Sequence, residues 1–138
     1  MPNSFNYEEY IEKDPESVYE LISNFKEYKN FIPGCINSEN ISNADEYDIG
    51  RLEFNFLNKE YFIESKNYKT PNKLKIKQLK GPFKYLDATW VVTKKNSGCQ
   101  VSFSAEFEAP LLLKPFMQQS LIDTFAAKLM QAFIKQAL

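Results

Sequence analysis

Apolar and polar residues alternate with a period of two along most of this chain and switch to a helical period in two places, after the first ten residues and at the C-terminus. Phe5, Tyr7, Glu9 and Ile11 share one parity with polar residues between them, which predicts a first strand. Asp14 before Pro15 is a helix start, an acid at the N-cap ahead of a proline whose missing N–H costs nothing there. Val18, Leu21, Ile22 and Phe25 follow at helical spacing. Tyr28, Phe31 and Ile32 predict a second short helix, stopped by Pro33 and Gly34. From Cys35 to Phe107 the pattern predicts strands at about 35–43, 47–57, 60–69, 73–80, 84–94 and 98–108, parted by turn signals such as Leu57-Asn58, Thr70-Pro71-Asn72, Gly81-Pro82 and Asn96-Ser97-Gly98. Such short connections imply an antiparallel meander.

The alternation also assigns faces. Leu52, Phe54 and Phe56 lie on one side of their strand, Leu74 and Ile76 on one side of theirs, and Val101, Phe103, Ala105 and Phe107 on one side of the last. Lys73, Lys75, Lys77, Gln100, Ser102, Ser104 and Glu106 point the other way, so one face is wet and the other covered. The cover is a helix expected from about Pro115 to Ala137, on the order of 34 Å long at about 1.5 Å per residue. Leu121, Phe125, Leu129, Ala132 and Phe133 form its apolar stripe, which Ile122, Ala126 and Met130 widen beyond the seam of a coiled coil.

The 138 residues suit one domain, 1–138, and 43% hydrophobic content is enough for a core. Net charge is −1, but residues 1–58 carry 12 acids against 4 bases, residues 59–95 carry 3 against 10, and residues 96–138 carry 3 of each, so only the middle of the chain is basic. Arg51 is the sole arginine, and an ordinary solvated lysine face accounts for most of that charge. The polar, acidic start lacks the marks of a secretory signal or transit peptide, and Asp123, Lys128 and Lys135 interrupt the last apolar stretch, so a cytoplasmic protein without a membrane span is expected. Two cysteines, Cys35 and Cys99, and no histidine make neither a disulfide framework nor a closed zinc site, and no metal or required cofactor is expected.

Without histidine, the usual serine and cysteine triads and histidine general bases are excluded, which leaves carboxylates, lysine or tyrosine for any catalysis. Glu106 and Glu108 share a face, as do Glu8 and Glu12, but the parity of Glu106 puts it opposite Phe103 and Phe107, where water keeps a carboxylate ordinary. Glu9 and Asp87 interrupt strands that otherwise carry aromatics; solvent-facing or strand-end placement is the plainer expectation. No catalytic residue is assigned.

Strand, two helices, six strands and a terminal helix is the order of the helix-grip fold shared by START and Bet v 1-like domains: an α+β fold in which a curved, antiparallel, seven-stranded sheet closes around a long C-terminal helix. Within it the chain resembles the coenzyme Q-binding START-domain proteins and the related bacterial ribosome-association toxins of the polyketide cyclase-like superfamily. The resemblance is carried by Phe31-Ile32-Pro33-Gly34-Cys35, by Gly81-Pro82-Phe83-Lys84-Tyr85-Leu86 with Trp90 four residues on, by Phe103-Ser104-Ala105-Glu106-Phe107-Glu108 running into Pro110-Leu111-Leu112, and by Met130-Gln131-Ala132-Phe133. It implies a cavity between sheet and helix that takes ubiquinone or a similar polyprenyl lipid in support of respiration or quinone biosynthesis, with peripheral contact at the inner face of the cell membrane. In other members it implies contact with the large ribosomal subunit, and in more distant ones cyclase or aromatase chemistry.

Inward aromatics pack on one another by default. A helix across a strongly curved sheet also leaves unfilled volume, so Phe54, Phe56, Trp90, Phe103, Phe107, Leu121, Phe125, Leu129 and Phe133 are the candidate cavity lining for a hydrophobic small molecule. Lys73, Lys75 and Lys77 project from one face of a strand, with Lys84 and also Lys66 and Lys80 as candidate neighbours, a stripe suited to anionic lipid or ribosomal RNA phosphates. It shows no interleaved exposed aromatics, so base-specific recognition and DNA binding are not expected.

Overall fold

A computed structural model describes residues 2–56 and 58–138, apart from the Phe56 side chain. The elements are β1 (Asn3–Ile11), α1 (Pro15–Ser23), a 3-10 segment (Phe25–Asn30), β2 (Cys35–Asn43), β3 (Asp48–Phe56), β4 (Lys59–Thr70), β5 (Lys73–Lys80), β6 (Tyr85–Lys95), β7 (Gly98–Glu108), a short 3-10 turn (Lys114–Phe116) and α2 (Gln119–Ala137). The strands form one seven-stranded antiparallel sheet in the order β1-β7-β6-β5-β4-β3-β2, so only the β1–β7 pair joins strands distant in sequence. Residues with short polar side chains set the turns: Asn58, Asn72 and Asn96 take left-handed φ values of 62°, 66° and 54° between successive strands, a conformation asparagine tolerates better than most residues. Register shifts in β2 and at Leu79 of β5, which is skipped between the Ser65–Gln78 and Glu64–Lys80 pairs, mark bulges, which bend strands and help curl the sheet. This is the α+β helix-grip fold.

The expected faces hold. Phe5, Leu74, Trp90, Val92, Val101, Phe103 and Ala105 point inward, and Trp90 stacks on Phe103 with ring centroids 4.1 Å apart. Phe133 of α2 meets Trp90 edge-on at 4.7 Å and Tyr28 at 5.3 Å, so helix, 3-10 segment and sheet share one aromatic core. The Tyr28 hydroxyl donates to the Ile22 carbonyl, and full burial pushes its pKa well up. Gly50 is a required close approach: a Cβ there would come within 2.6 Å of the Phe25 ring, so only glycine lets that ring lie flat on β3.

Two expectations need correction. The last helix does not start at Pro115, because Gln118 is extended (φ −68°, ψ 144°) and breaks the Lys114–Phe116 turn from α2; the 19 residues of α2 span about 28 Å. Its buried stripe is Ile122, Ala126, Met130 and Phe133, not Leu121, Phe125 and Leu129. The cause is an anchor invisible to periodicity: Gln119 Nε2 donates to the Ser4 carbonyl at 2.9 Å and Asn3 Nδ2 to the Met117 carbonyl at 3.2 Å, tying the start of α2 to edge strand β1 and fixing the helix's rotation.

Candidate functional site

Antiparallel pairing gathers one set of connections at a single end of the sheet: Pro33–Gly34, Asn58, the Gly81–Lys84 turn, the 109–118 segment and the start of α2. The largest exposed apolar side chains of that region are also there. Leu111 is 78% exposed and Leu112 86%, with Phe116 at 45%, Leu121 at 54% and Phe125 at 56%.

The rotation of α2 fixes where its share of them points. Gln119 and Asp123 lie beside β1, where both border a concavity with Ser4 and Asn6. Leu121 is two residues, about 200° of helix rotation, from each of them, so Leu121 and Phe125, with half-buried Leu129 one turn on, form the flank that turns away from β1. On the sheet's inward surface away from β1, Leu52, Phe54, Tyr61, Ile63 and Ile76 are only half-buried, in contrast to the closed core over β6 and β7. Phe54 stacks on Tyr61 with ring centroids 5.8 Å apart.

The inward side of β4 and β5 has a few polar features. Ser65 and Asn67 are buried on the inward face of β4, and Ser65 Oγ donates to Asn67 Oδ1 at 3.0 Å. Gln78 Nε2 donates to the Phe83 carbonyl at 2.8 Å, while Gln78 Oε1 is buried without a hydrogen-bond donor and is packed on Gly81, where a Cβ would fall 2.3 Å from it. A buried acceptor left empty marks a position where a donor is wanted. Burial raises the thiol pKa values of Cys35 and Cys99, which makes them poor nucleophiles. Glu9 does face inward, opposite Val101, and is half-buried, whereas Asp87 is exposed on the outer face.

The candidate lining therefore separates into groups. Trp90, Phe103, Phe107 and Phe133 are buried and filled by each other or, for Phe107, by Phe83 at 5.2 Å, so they form core and floor. Phe54 and Leu129 are half-buried and Leu121 and Phe125 exposed, so these four stand outside that buried core, and the Phe56 side chain lies outside the described residues. Sequence reasoning missed Tyr61, Ile63 and Gln78, although the first two share the alternation that singled out Phe54 on the neighbouring strand.

A better-formed concavity lies elsewhere. It is an open groove of about 610 Å³ over the outer face of β1, β7 and β6, bordered by Asp87, Glu106 and Asp123 with serine, threonine and amide neighbours. Its wall is polar and acidic, unlike the expected apolar chamber. The Tyr85 hydroxyl donates to Glu106 at 2.8 Å, and that bond pushes the tyrosine pKa up to about 12. No cluster of three or more potential metal ligands occurs among the described residues.

On the basic side, Lys73, Lys75 and Lys77 are exposed on the outer face, but Lys84 does not join them: it pairs with Glu108 at 3.0 Å at the far end of β6 and holds that carboxyl below its ordinary range. Two half-buried tyrosines lie among the lysines. Tyr68 stands opposite Lys75 in the β4–β5 ladder, and Tyr47 lies against Tyr68 at 5.5 Å. The missed signal was Tyr68 itself, which shares the outward parity of Lys66 two residues before it.

A family model described as "polyketide cyclase / dehydrase and lipid transport" matches residues 11–133. The chain is 24% identical over 139 residues to a ribosome association toxin RatA of Rickettsia prowazekii, covering 97% of this chain and 95% of that protein. It is 25% identical over 124 residues to RatA of Escherichia coli K12, covering 88% and 78%. Among solved structures, the Zhui aromatase/cyclase of Streptomyces sp. R1128 superposes with a TM-score of 0.88 at 12% identity over 99% of this chain and 94% of that one. A START superfamily protein of Mycobacterium smegmatis does so at 0.83 and 13% identity over 99% and 96%. These two establish the shared fold.

Proposed function

The chain belongs to the polyketide cyclase / dehydrase and lipid transport family, and from that premise we propose that it binds a hydrophobic molecule with a long apolar tail, such as a polyprenyl quinone or quinol, without transforming it. The observation that supports this reading is apolar surface left uncovered: Leu121 and Phe125 of α2 are exposed, and Leu52, Phe54, Tyr61, Ile63 and Ile76 on the inward side of the sheet are only half-buried, with Leu111, Leu112 and Phe116 exposed at the loop end. We read the helix flank and the sheet face as the two walls of a trough. Exposed leucines of this kind cost free energy in water unless something covers them. A tail laid in the trough would cover both walls. The approach to it is the 109–118 segment, whose exposed leucines would touch the bilayer from which such a ligand is drawn. Among the described residues no helix is long and apolar enough to cross a membrane. Catalysis has little to work with here: the chain has no histidine, its inward cysteines have raised pKa values, and the carboxylates of the acidic groove lie on the opposite face, Glu106 bonded to Tyr85 and Asp123 to Gln119.

The test is direct. Purified protein extracted with organic solvent should release a quinone or other lipid, and stripped protein should bind an added long-tailed quinone. The double variant Leu121→Ser/Phe125→Ser should bind about tenfold or more weakly, about 1.4 kcal/mol or above. Protein that carries no lipid and takes up none would end this reading.

A second reading, association with the large ribosomal subunit, is supported by the nearly full-length match to proteins named ribosome association toxins and by the uncompensated lysines of the outer face. Co-sedimentation with large-subunit fractions at low salt tests it; absence from those fractions counts against it.

A further inference from the structure

We propose that the outer face of β4 and β5 is a binding surface for single-stranded RNA, with Lys66, Lys73, Lys75 and Lys77 holding phosphates and Tyr68 and Tyr47 stacking bases. The register sets the array: Tyr68 is opposite Lys75, Lys66 is opposite Lys77, and Lys73 lies between Thr70 and Val91. Along β5 the ammonium groups recur every ~7 Å, twice the rise of a strand. Tyr47 extends the row sideways, its ring 5.5 Å from that of Tyr68, with Lys66 Nζ 4.7 Å above it. Cations alternating with rings on a sheet are what a single strand needs, because phosphates want charge and unstacked bases want a flat face.

Charge on this face is not already spent. None of the four lysines makes an ion pair among the described residues, whereas Lys69 is committed to Asp48 at 2.7 Å and Arg51 to Glu53 and Glu64 at 3.3 and 2.6 Å. Acids bound the array: Asp87 stands across from Lys77, and exposed Asp45 and Glu46 precede Tyr47. Those borders leave a narrow track, suited to one strand and not to a duplex. A bilayer fits less well, because the most exposed leucines, Leu111 and Leu112, are at the loop end, and β4 and β5 carry only the less exposed Phe62 and Leu79.

The inference deepens the ribosomal reading and rests on it only for the source of the RNA. The experiment is fluorescence anisotropy of a labelled single-stranded oligoribonucleotide over a series of salt concentrations. Affinity should fall with salt at a log–log slope of about −2 to −3, that is three to four phosphates at about −0.7 each. Lys75→Gln/Lys77→Gln should flatten the slope by about 1.4, and Tyr68→Ala should weaken binding on the order of tenfold with the slope unchanged. Circular dichroism confirms that these surface variants stay folded, and Leu111→Ser/Leu112→Ser should leave RNA binding intact. The proposal is overturned by no RNA binding at low salt, by binding indifferent to all three substitutions, or by capture of anionic phosphatidylglycerol vesicles in place of RNA. RNA binding without co-sedimentation on the large subunit removes the ribosome and keeps the face. Sedimentation that survives the lysine and tyrosine variants keeps the ribosome and removes the face.

Discussion

Asp14 closes the N-terminus of α1 by accepting from the Ser17 backbone N–H at 2.9 Å and from its hydroxyl at 2.8 Å, and the Ser17 bonds hold its pKa below the ordinary 3.8. A carboxyl depressed in the folded state stabilises above its unfolded pKa, and that contribution is lost as pH falls through the folded value. Asp14→Ala should therefore lower the melting temperature at neutral pH, and the deficit should shrink as pH falls below about 3.8 and vanish once pH passes below the folded value; a deficit that stays constant as pH is lowered would show that the ionised carboxylate contributes nothing. Single residues of this sort were readable in the sequence, since Asp-Pro before an apolar periodic run has one structural use. Gly50 and Gln78 were not. Their roles depend on Phe25 and Gly81, brought up by the fold from distant or bent chain. Gly50→Ala should cost about 1–3 kcal/mol in urea denaturation by forcing the buried Phe25 ring off β3.

At the scale of elements, strand positions were legible because period two leaves little choice of face: a slip of one residue would turn every inward side chain of β7 outward. Helix α2 was harder. Its apolar arc is wide enough that both 121-125-129 and 122-126-130-133 satisfy helical spacing, and only the contacts of Gln119 and Asn3 at β1 decide between them. The two stripes should respond differently to substitution. Met130→Ala, at a position with no solvent exposure, should destabilise by about 2–5 kcal/mol, whereas Phe125→Ser should change stability by about 0.5 kcal/mol or less and show itself in ligand binding. Comparable losses at both positions would mean that α2 buries the wider arc and leaves no trough.

For the whole molecule, the fold was legible from element order, but the ligand site was not, because a cavity is a property of what fails to pack. The aromatics that sequence reasoning assigned to a chamber mostly pack on one another, Trp90 on Phe103 and Phe133, while the apolar side chains left half-buried or exposed are those of β3, β4 and β5 and Leu121 and Phe125 of α2. The molecule thus separates two surfaces by chemistry: apolar walls inside at one end, lysines and tyrosines outside. The measurement that bears most directly on this account is an amide NMR titration of the protein with a long-tailed quinol. Shifts should concentrate at Leu52, Phe54, Ile63, Ile76, Gln78, Leu121 and Phe125, with the outer-face amides of Lys75 and Lys77 still. Shifts confined to the acidic groove of Asp87 and Glu106, or none at saturating ligand, would contradict it.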